Sequence, residues 1–400
     1  MTDTVPRTAS TPKLARRRLL VSAGLAAAFP GLARATVIAE TRGDRESLAL
    51  WYDQPAGQWL EALPVGNGRV GAMVFGRVAQ ERVQLNEDTL YAGGPYNPNN
   101  PQFHDALPKV RALIDQGKYK EASDLAAVAM IGKPGTQMPF GAAGDLLLDF
   151  IGLTGAAGYR RRLDLDTAIA VTRFSNGKAQ YVREVFASVP GQALVMRLTA
   201  TGGGLLNFDL GYRHPADAKY GDTRYEGANQ AARAVGAAWD VSEPLAAGSR
   251  PASVAIRPDG DGALLVEGRN IAAAGIPSAL RYAVRIRAVG DGRITAVNDQ
   301  IQVRDATAVT LLVACATSHV NYADTSADPV AKVRAHSDAA ARIPYRRLRE
   351  EHVQAHQGLF GRMSIRLGAA SAQADPRPTH QRIAAMETRP DPALAALYVQ

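Results

Sequence analysis

Between Asn67 and Thr89 the chain gathers side chains suited to holding a hydroxylated ligand. Asn67 stands between Gly66 and Gly68, and Asn86, Glu87, Asp88 and Thr89 follow one another directly. Amides, carboxylates and hydroxyls together offer both donors and acceptors, which is what sugar hydroxyls require. The same groups serve equally well to close a turn on their own backbone or to line a polar contact between domains. Trp51 and Trp59 precede them; each has a ring able to stack on a sugar face, although packing is their expected role.

Two short apolar runs position these groups. The first, Gly71–Val78, follows a loop over Pro64–Gly71 whose three glycines and Asn67 allow φ > 0 and close backbone approach. The second, Arg82–Leu85, alternates Val83 and Leu85 with polar neighbours and reads as a strand with one buried face. The polar cluster is expected just after it. Farther on, short β-branched and aromatic runs recur at Leu146–Phe150, Ala168–Phe174, Ala179–Ala187, Ala193–Thr199, Leu205–Tyr212, Ser253–Arg257, Ala263–Val266, Leu280–Val289, Arg293–Val297, Gln300–Val303 and Val309–Ala316. Asn176-Gly177 marks a hairpin between two of them. Gly202-Gly203-Gly204, Asp259-Gly260-Asp261-Gly262 and Gly290-Asp291-Gly292 separate others, and this rhythm predicts a sandwich or barrel. One helical interruption is predicted over Asp105–Met130, broken at Gly117.

The segments LPVGNGRVGAMVFG (63–76) and VQLNEDTLYAGGPYNPNNP (83–101) resemble the start of the family 95 glycoside hydrolases, the inverting α-L-fucosidases with some α-L-galactosidases. GDLLLDF (144–150), YRRRLDLDTAIAVTRF (159–174), REVFAS (183–188), CATSHVNYAD (315–324) and DPALAALYVQ (391–400) agree in the same order. The resemblance covers residues 48 to 400 apart from a variable middle near Asp217–Arg250. It implies a mainly β fold: a large N-terminal β-sandwich over residues 48–328, linker helices over 329–363, and from 364 the start of an (α/α)6 barrel, truncated at Gln400. It places the catalytic Glu, and the Asn and Asp groups that activate water, in that barrel. None of those motif positions matches a residue here, so no catalytic residue is carried over. The 400-residue chain alone is expected to be inactive.

Other chemistries find less support. His352 and His356 have i, i+4 spacing, but no Glu stands where a zinc-protease helix carries its base, so an interface or solvated helix face is expected rather than a metal site. Gly66-Asn67-Gly68 lacks the GK[ST] or GxGxxG continuation of a phosphate loop. Cys315 lies in an apolar run and reads as a buried, inert thiol. No cofactor is expected.

Residues 1–35 read as a signal peptide: a basic lead with Arg16-Arg17-Arg18, an apolar stretch from Val21 to Leu32, and Ala33-Arg34-Ala35 at a cleavage site. The paired arginines suggest the twin-arginine route, hence a periplasmic or extracellular protein. The whole chain has 46 basic and 38 acidic residues. Removing the six basic residues of the signal and Asp3 leaves 40 against 37, so the high pI argues neither for nucleic acid nor for a membrane surface as partner.

After Asp328 the composition shifts. Pro329–Arg342 and Tyr345–Leu359 read as linker helices broken at Pro344, with Arg346–Arg349 forming a charged surface partly balanced by Glu350 and Glu351. Ala369–Pro378 reads as a loop, and Thr379–Glu387 and Pro392–Gln400 as helices. Ala393–Val399 is expected to expose an apolar surface with no partner. The resemblance therefore implies the N-terminal portion of an α-L-fucosidase-like hydrolase acting on fucosylated glycans. Two alternatives stay open: α-L-galactosidase specificity on the same scaffold, and a non-catalytic carbohydrate-binding or structural β-domain.

Overall fold

The computed structural model describes residues 48–214, 254–368 and 375–400. The signal segment, the variable middle, Ser253 and residues 369–374 of the expected loop lie outside them. In chain order the strands are β1 (Ala49–Tyr52), β2 (Leu63–Gly66), β3 (Val70–Val74), β4 (Gln80–Tyr91), β5 (Phe140–Phe150), β6 (Ala157–Asp164), β7 (Ile169–Asn176), β8 (Ala179–Ser188), β9 (Ala193–Thr201), β10 (Leu206–Arg213), β11 (Val254–Pro258), β12 (Ala263–Arg269), β13 (Arg281–Gly290), β14 (Arg293–Val297), β15 (Gln300–Ala306) and β16 (Ala308–Thr317). They form two antiparallel sheets, a nine-stranded one ordered β1-β6-β7-β8-β9-β16-β13-β12-β11 and a seven-stranded one ordered β14-β15-β10-β5-β4-β3-β2.

The sheets face each other across one apolar core. Val83, Leu85, Leu146, Leu148, Phe208 and Leu210 come from the smaller sheet, and Leu194, Met196, Val284, Ile286, Leu311 and Val313 from the larger. Each such side chain contributes about 1.5–3 kcal/mol by leaving water. Strands β8, β9, β16 and β13 are buried on both faces, because two helices cover the outer side of the large sheet. These are α3 (Pro329–Ala341) and α4 (Tyr345–Phe360). Ala340 and Leu348 pack on Ile169, Phe186, Val195 and Leu312, while Val333 packs on Leu265, Ala283 and Ala314. That two-sided burial explains the unbroken apolar run at Leu311–Ala316. Cys315 lies within it, and burial pushes its thiol up to about 12.

The helical interruption is two helices, α1 (Phe103–Asp115) and α2 (Tyr119–Ala129), inserted between β4 and β5 with Gly117 between them. Asn100 ties down the end of this insertion, its amide donating to the carbonyls of Val128 and Ile131 at 3.0 Å each.

Three expectations need correction. The loop over Pro64–Gly71 is mostly strand: β2 and β3 pair from Leu63↔Val74 to Gly66↔Gly71, leaving a tight turn in which Gly68 takes φ 88°. Strand β4 is buried on both faces, because Arg82 on its outer side pairs with Asp145 at 3.2 Å while Glu81 on its inner side pairs with Arg183 at 2.9 Å. The apolar face at the chain end is only partly open. Leu394, Ala396 and Leu397 are buried and Tyr398 is exposed. The last helices, α5 (Thr379–Ala385) and α6 (Pro392–Val399), are clipped together by an Arg382–Asp391 ion pair at 2.8 Å. Gln400 also bonds back to Met363 and Ile365.

The interface reading of the α4 histidines holds. His352 faces the carbonyls of Ala187 and Thr167 at 3.1 and 2.9 Å, and His356 faces that of Leu165 at 2.7 Å. Arg346 and Arg347 pair with Glu350 and Glu351 one turn on, and Arg349 reaches Glu184 of β8 at 3.4 Å.

Candidate functional site

Strand pairing brings one set of chain turns to a common end of the sandwich. In the large sheet these are the β6–β7 turn, the β8–β9 turn closed by Ser188↔Ala193, and the end of β16 at Thr317↔Tyr282. In the small sheet they are the β2–β3 turn and the second half of β4. The two sheets meet there through Asn67, whose amide donates to the Ser188 carbonyl at 2.9 Å, and through Thr89, whose hydroxyl touches that of Thr317.

Arg69 is the centre of this end, and the sequence reading did not single it out. Strand β9 starts at Ala193, and its last pairing with β16 on this side is Leu194↔Val313. Two residues on, the Cys315 carbonyl would lack a partner. Arg69 fills the gap: its Nη1 donates to Cys315 O at 2.5 Å, its Nη2 to Gln192 O at 2.8 Å and its Nε to Gln192 Oε1 at 2.7 Å. Lys332 of α3 does the same one step farther, donating to the carbonyls of Thr317 and His319 at 3.2 Å. Orphaned carbonyls at a strand end are costly to bury, so cations here are structural caps. His336 lies nearby and stays below its ordinary range, first through burial and then through the Arg69 and Lys332 charges.

The five candidate residues fall into two groups. Asn67 Oδ1 accepts from the backbone N–H groups of Arg69 and Val70 at 3.0 and 2.8 Å. Glu87 is buried on the inner face of β4. Its Oε2 accepts from the Thr89 N–H and hydroxyl at 2.8 and 2.7 Å, and Oε1 lies 3.9 Å from Arg69. Burial holds its carboxyl above the usual range, against the opposing pull of Thr89 and Arg69. These three, Asn67, Glu87 and Thr89, spend their polar atoms inside the fold. Asn86 and Asp88 alternate to the other face of β4, which runs through the cluster rather than ending before it. Asn86 is half-buried, Asp88 is exposed, and neither has a side-chain hydrogen bond among the described residues.

Trp51 is half-buried beneath the Arg160 guanidinium at 4.3 Å, and its backbone N–H donates to Thr379 of α5 at 2.9 Å. Trp59 is partly exposed in a short 3-10 turn. Among the described residues no group of three His, Cys, Asp or Glu side chains is placed to hold a metal ion. Chemically, this end can accept and donate hydrogen bonds to a neutral polyol. It offers Asp88 as an exposed carboxylate.

Helix α4 crosses the same end, because His352 and His356 sit on the carbonyls of the β8 end and the β6–β7 turn. The geometry defines a two-sheet antiparallel sandwich with helices packed on its larger sheet. Residues 50–322 match the family model for the glycosyl hydrolase family 65 N-terminal domain, and residues 344–400 match that for the glycosyl hydrolase family 95 catalytic domain. The chain belongs to the glycoside hydrolases, as a family 95-like member whose sandwich is this type of N-terminal domain.

Among curated proteins it is similar to "Alpha-L-fucosidase 2" of Arabidopsis thaliana, with 28% identity over 88% of this chain and 41% of that one. It is also similar to "Probable alpha-fucosidase A" of Aspergillus niger, 36% identical over 38% of this chain and 20% of that one. The protein of the same name from Aspergillus oryzae is 31% identical over 38% and 22%. The chain thus spans about two fifths of the plant relative and about a fifth of each fungal one.

Proposed function

We propose that this chain is the N-terminal portion of an exported, inverting α-L-fucosidase. In this reading residues 1–35 direct export by the twin-arginine route to the periplasm or beyond. Residues 48–328 form the sandwich domain, 329–363 the linker, and 364–400 the opening of an α-helical catalytic domain that hydrolyses terminal α-L-fucosyl linkages without a cofactor. Inversion needs a general acid and a general base about 6.5–9.5 Å apart, with water between them. In this reading that pair belongs to the catalytic domain, so the chain on its own is expected to turn over no fucoside.

The observation that carries the reading is topological. Family 95 sequence begins at residue 344, essentially with α4, and α4 is seated on the β8 end and the β6–β7 turn of the sandwich. The relatives' names supply the sugar. The test is turnover of aryl α-L-fucoside and aryl α-L-galactoside by a protein that continues this chain through a complete family 95 catalytic domain. Preference for the fucoside is expected. Preference for the galactoside, or no turnover of either, overturns the assignment.

A further inference from the structure

Where α3 meets β11, β12 and β13, the outer face of the large sheet carries several arginines, and most have carboxylate partners. Side chains alternate along a strand, so Glu267 and Arg269 of β12 and Arg281, Arg285 and Arg287 of β13 share the face on which Leu265 and Ala283 pack under α3. Arg285 pairs with Asp259 and Asp338 at 2.6 Å each, Arg287 with Asp338 at 2.6 Å, and Arg257 of β11 with Glu267 at 2.6 Å. Arg334 of α3 also pairs with Asp259. Arg269 and Arg281 differ: among the described residues neither has a carboxylate within ion-pair distance. They are nevertheless direct cross-strand partners, which sets their Cβ atoms about 4.5–5.5 Å apart. Like charges so placed destabilise a sheet unless an anion answers them. Arg281 Nη2 donates to the Ala327 carbonyl at 3.1 Å, and both side chains are otherwise exposed.

A cleft opens beside this pair. Its volume is about 330 Å³, at the small end of ligand pockets. Arg281 and Glu267 line it from the sheet, and Asp328, Pro329 and Val330 from the start of α3. Glu267 is neutralised by Arg257. Asp328 Oδ1 accepts from the N–H groups of Val330 and Ala331 at 2.9 and 3.2 Å, which leaves Oδ2 for a further donor. Tyr282 also borders the cleft and pairs with Thr317, so the cleft lies at the end of the sandwich where β16 stops. Two neighbouring guanidiniums match a carboxylate, the free carboxylate oxygen accepts from hydroxyls, and Pro329 and Val330 offer an apolar side to C–H groups.

We propose that Arg269 and Arg281, with Asp328, form a binding site for an acidic sugar, a pyranose that carries a carboxylate. On the fucosidase reading the site selects carrier glycans that contain uronic acids. That role rests on the fucosidase reading, whereas the acidic-sugar site itself does not.

The experiment titrates the 400-residue protein with D-galacturonate, D-galactose and inorganic sulfate, followed by NMR chemical-shift change or calorimetry. Saturable binding of galacturonate is expected, weakening as salt rises, with weaker binding of sulfate and none of galactose. Arg269→Ala should weaken galacturonate binding about tenfold. Arg269→Lys should weaken it less, because the ammonium keeps the charge and loses the fork. Without ligand, the melting temperature of Arg269→Ala should equal or exceed that of wild type, since a like-charge pair is relieved. Absence of saturation by galacturonate, or unchanged affinity in Arg269→Ala, overturns the site. Sulfate or galactose binding as tightly as galacturonate overturns the acidic-sugar assignment. A lowered melting temperature in Arg269→Ala makes this arginine structural and overturns the reading of an unanswered charge pair. Failure of the fucosidase reading shows separately, as absence of aryl fucoside turnover in the extended protein, because that substrate carries no carboxylate.

Discussion

The guanidinium of Arg69 reaches the carbonyl oxygen of Cys315 at 2.5 Å, joining a turn of one sheet to the end of a central strand of the other. Its remaining donors engage Gln192, so one side chain stands in for the missing continuation of β9. Arg69→Ala should destabilise the protein by about 2–4 kcal/mol, since charge-assisted bonds are lost and a strand-end carbonyl is orphaned. Arg69→Lys should recover only part, lacking the fork that spans both acceptors. Urea midpoints of the three proteins check this; equal midpoints for wild type and Arg69→Ala would contradict it.

Glu87 carries a pH signature. Burial raises its carboxyl in the folded protein above the unfolded value near 4.5. A raised carboxyl holds a proton that the unfolded chain has released. Its favourable contribution is therefore complete below that unfolded value and is lost as pH rises through the folded one. Glu87→Gln removes the loss. Between pH 4.5 and 7 the Gln variant should gain stability relative to wild type, measured as the difference between their denaturant midpoints. A relative decline over that window would show that the charged form is the one the fold prefers.

The buried Glu81–Arg183 pair ties the two sheets together. Arg183 lies between the rings of Phe150 and Phe174 at 4.1 and 5.1 Å, and Glu81 also accepts from the Gly76 N–H at 2.8 Å. Glu81→Leu strands a guanidinium in the core and should cost about 3–5 kcal/mol. The double variant with Arg183→Met should recover a large part of that loss, because no charge is then left unpaired. Thermal unfolding of the single and double variants tests this.

Much of the fold was readable because its signals are local. Alternating runs and Gly-rich turns located the strands, and Asn176-Gly177 marked the β7–β8 hairpin, which closes at Asn176↔Ala179. Gly117 broke the helical insertion as expected. The misjudged parts depend on distant partners. Arg82 looked like part of a solvent face of β4 because its partner Asp145 lies 63 residues away. The Asn86–Thr89 cluster read as one unit, but the strand period splits it, turning Glu87 and Thr89 inward and Asn86 and Asp88 outward. Arg69 gave no signal, since its role is defined by where β9 starts.

Cys315 offers a check on the core. Its thiol is buried and pushed up to about 12, so the thiolate that reacts with disulfide reagents is scarce at neutral pH. Native protein should leave the reagent unreduced for hours, and urea-unfolded protein should react at once with one equivalent. Prompt labelling of the native protein would mean that the end of β16 opens readily.

The most direct measurement follows the first sugar released by a protein that continues this chain through its catalytic domain. Proton NMR during early hydrolysis of an α-L-fucosyl substrate resolves the two anomers before mutarotation mixes them. β-L-Fucose appearing first is the expected result for an inverting enzyme whose two carboxyl-type functions flank a water. α-L-Fucose appearing first, or no fucose at all, would contradict the assignment of this chain to an inverting α-L-fucosidase.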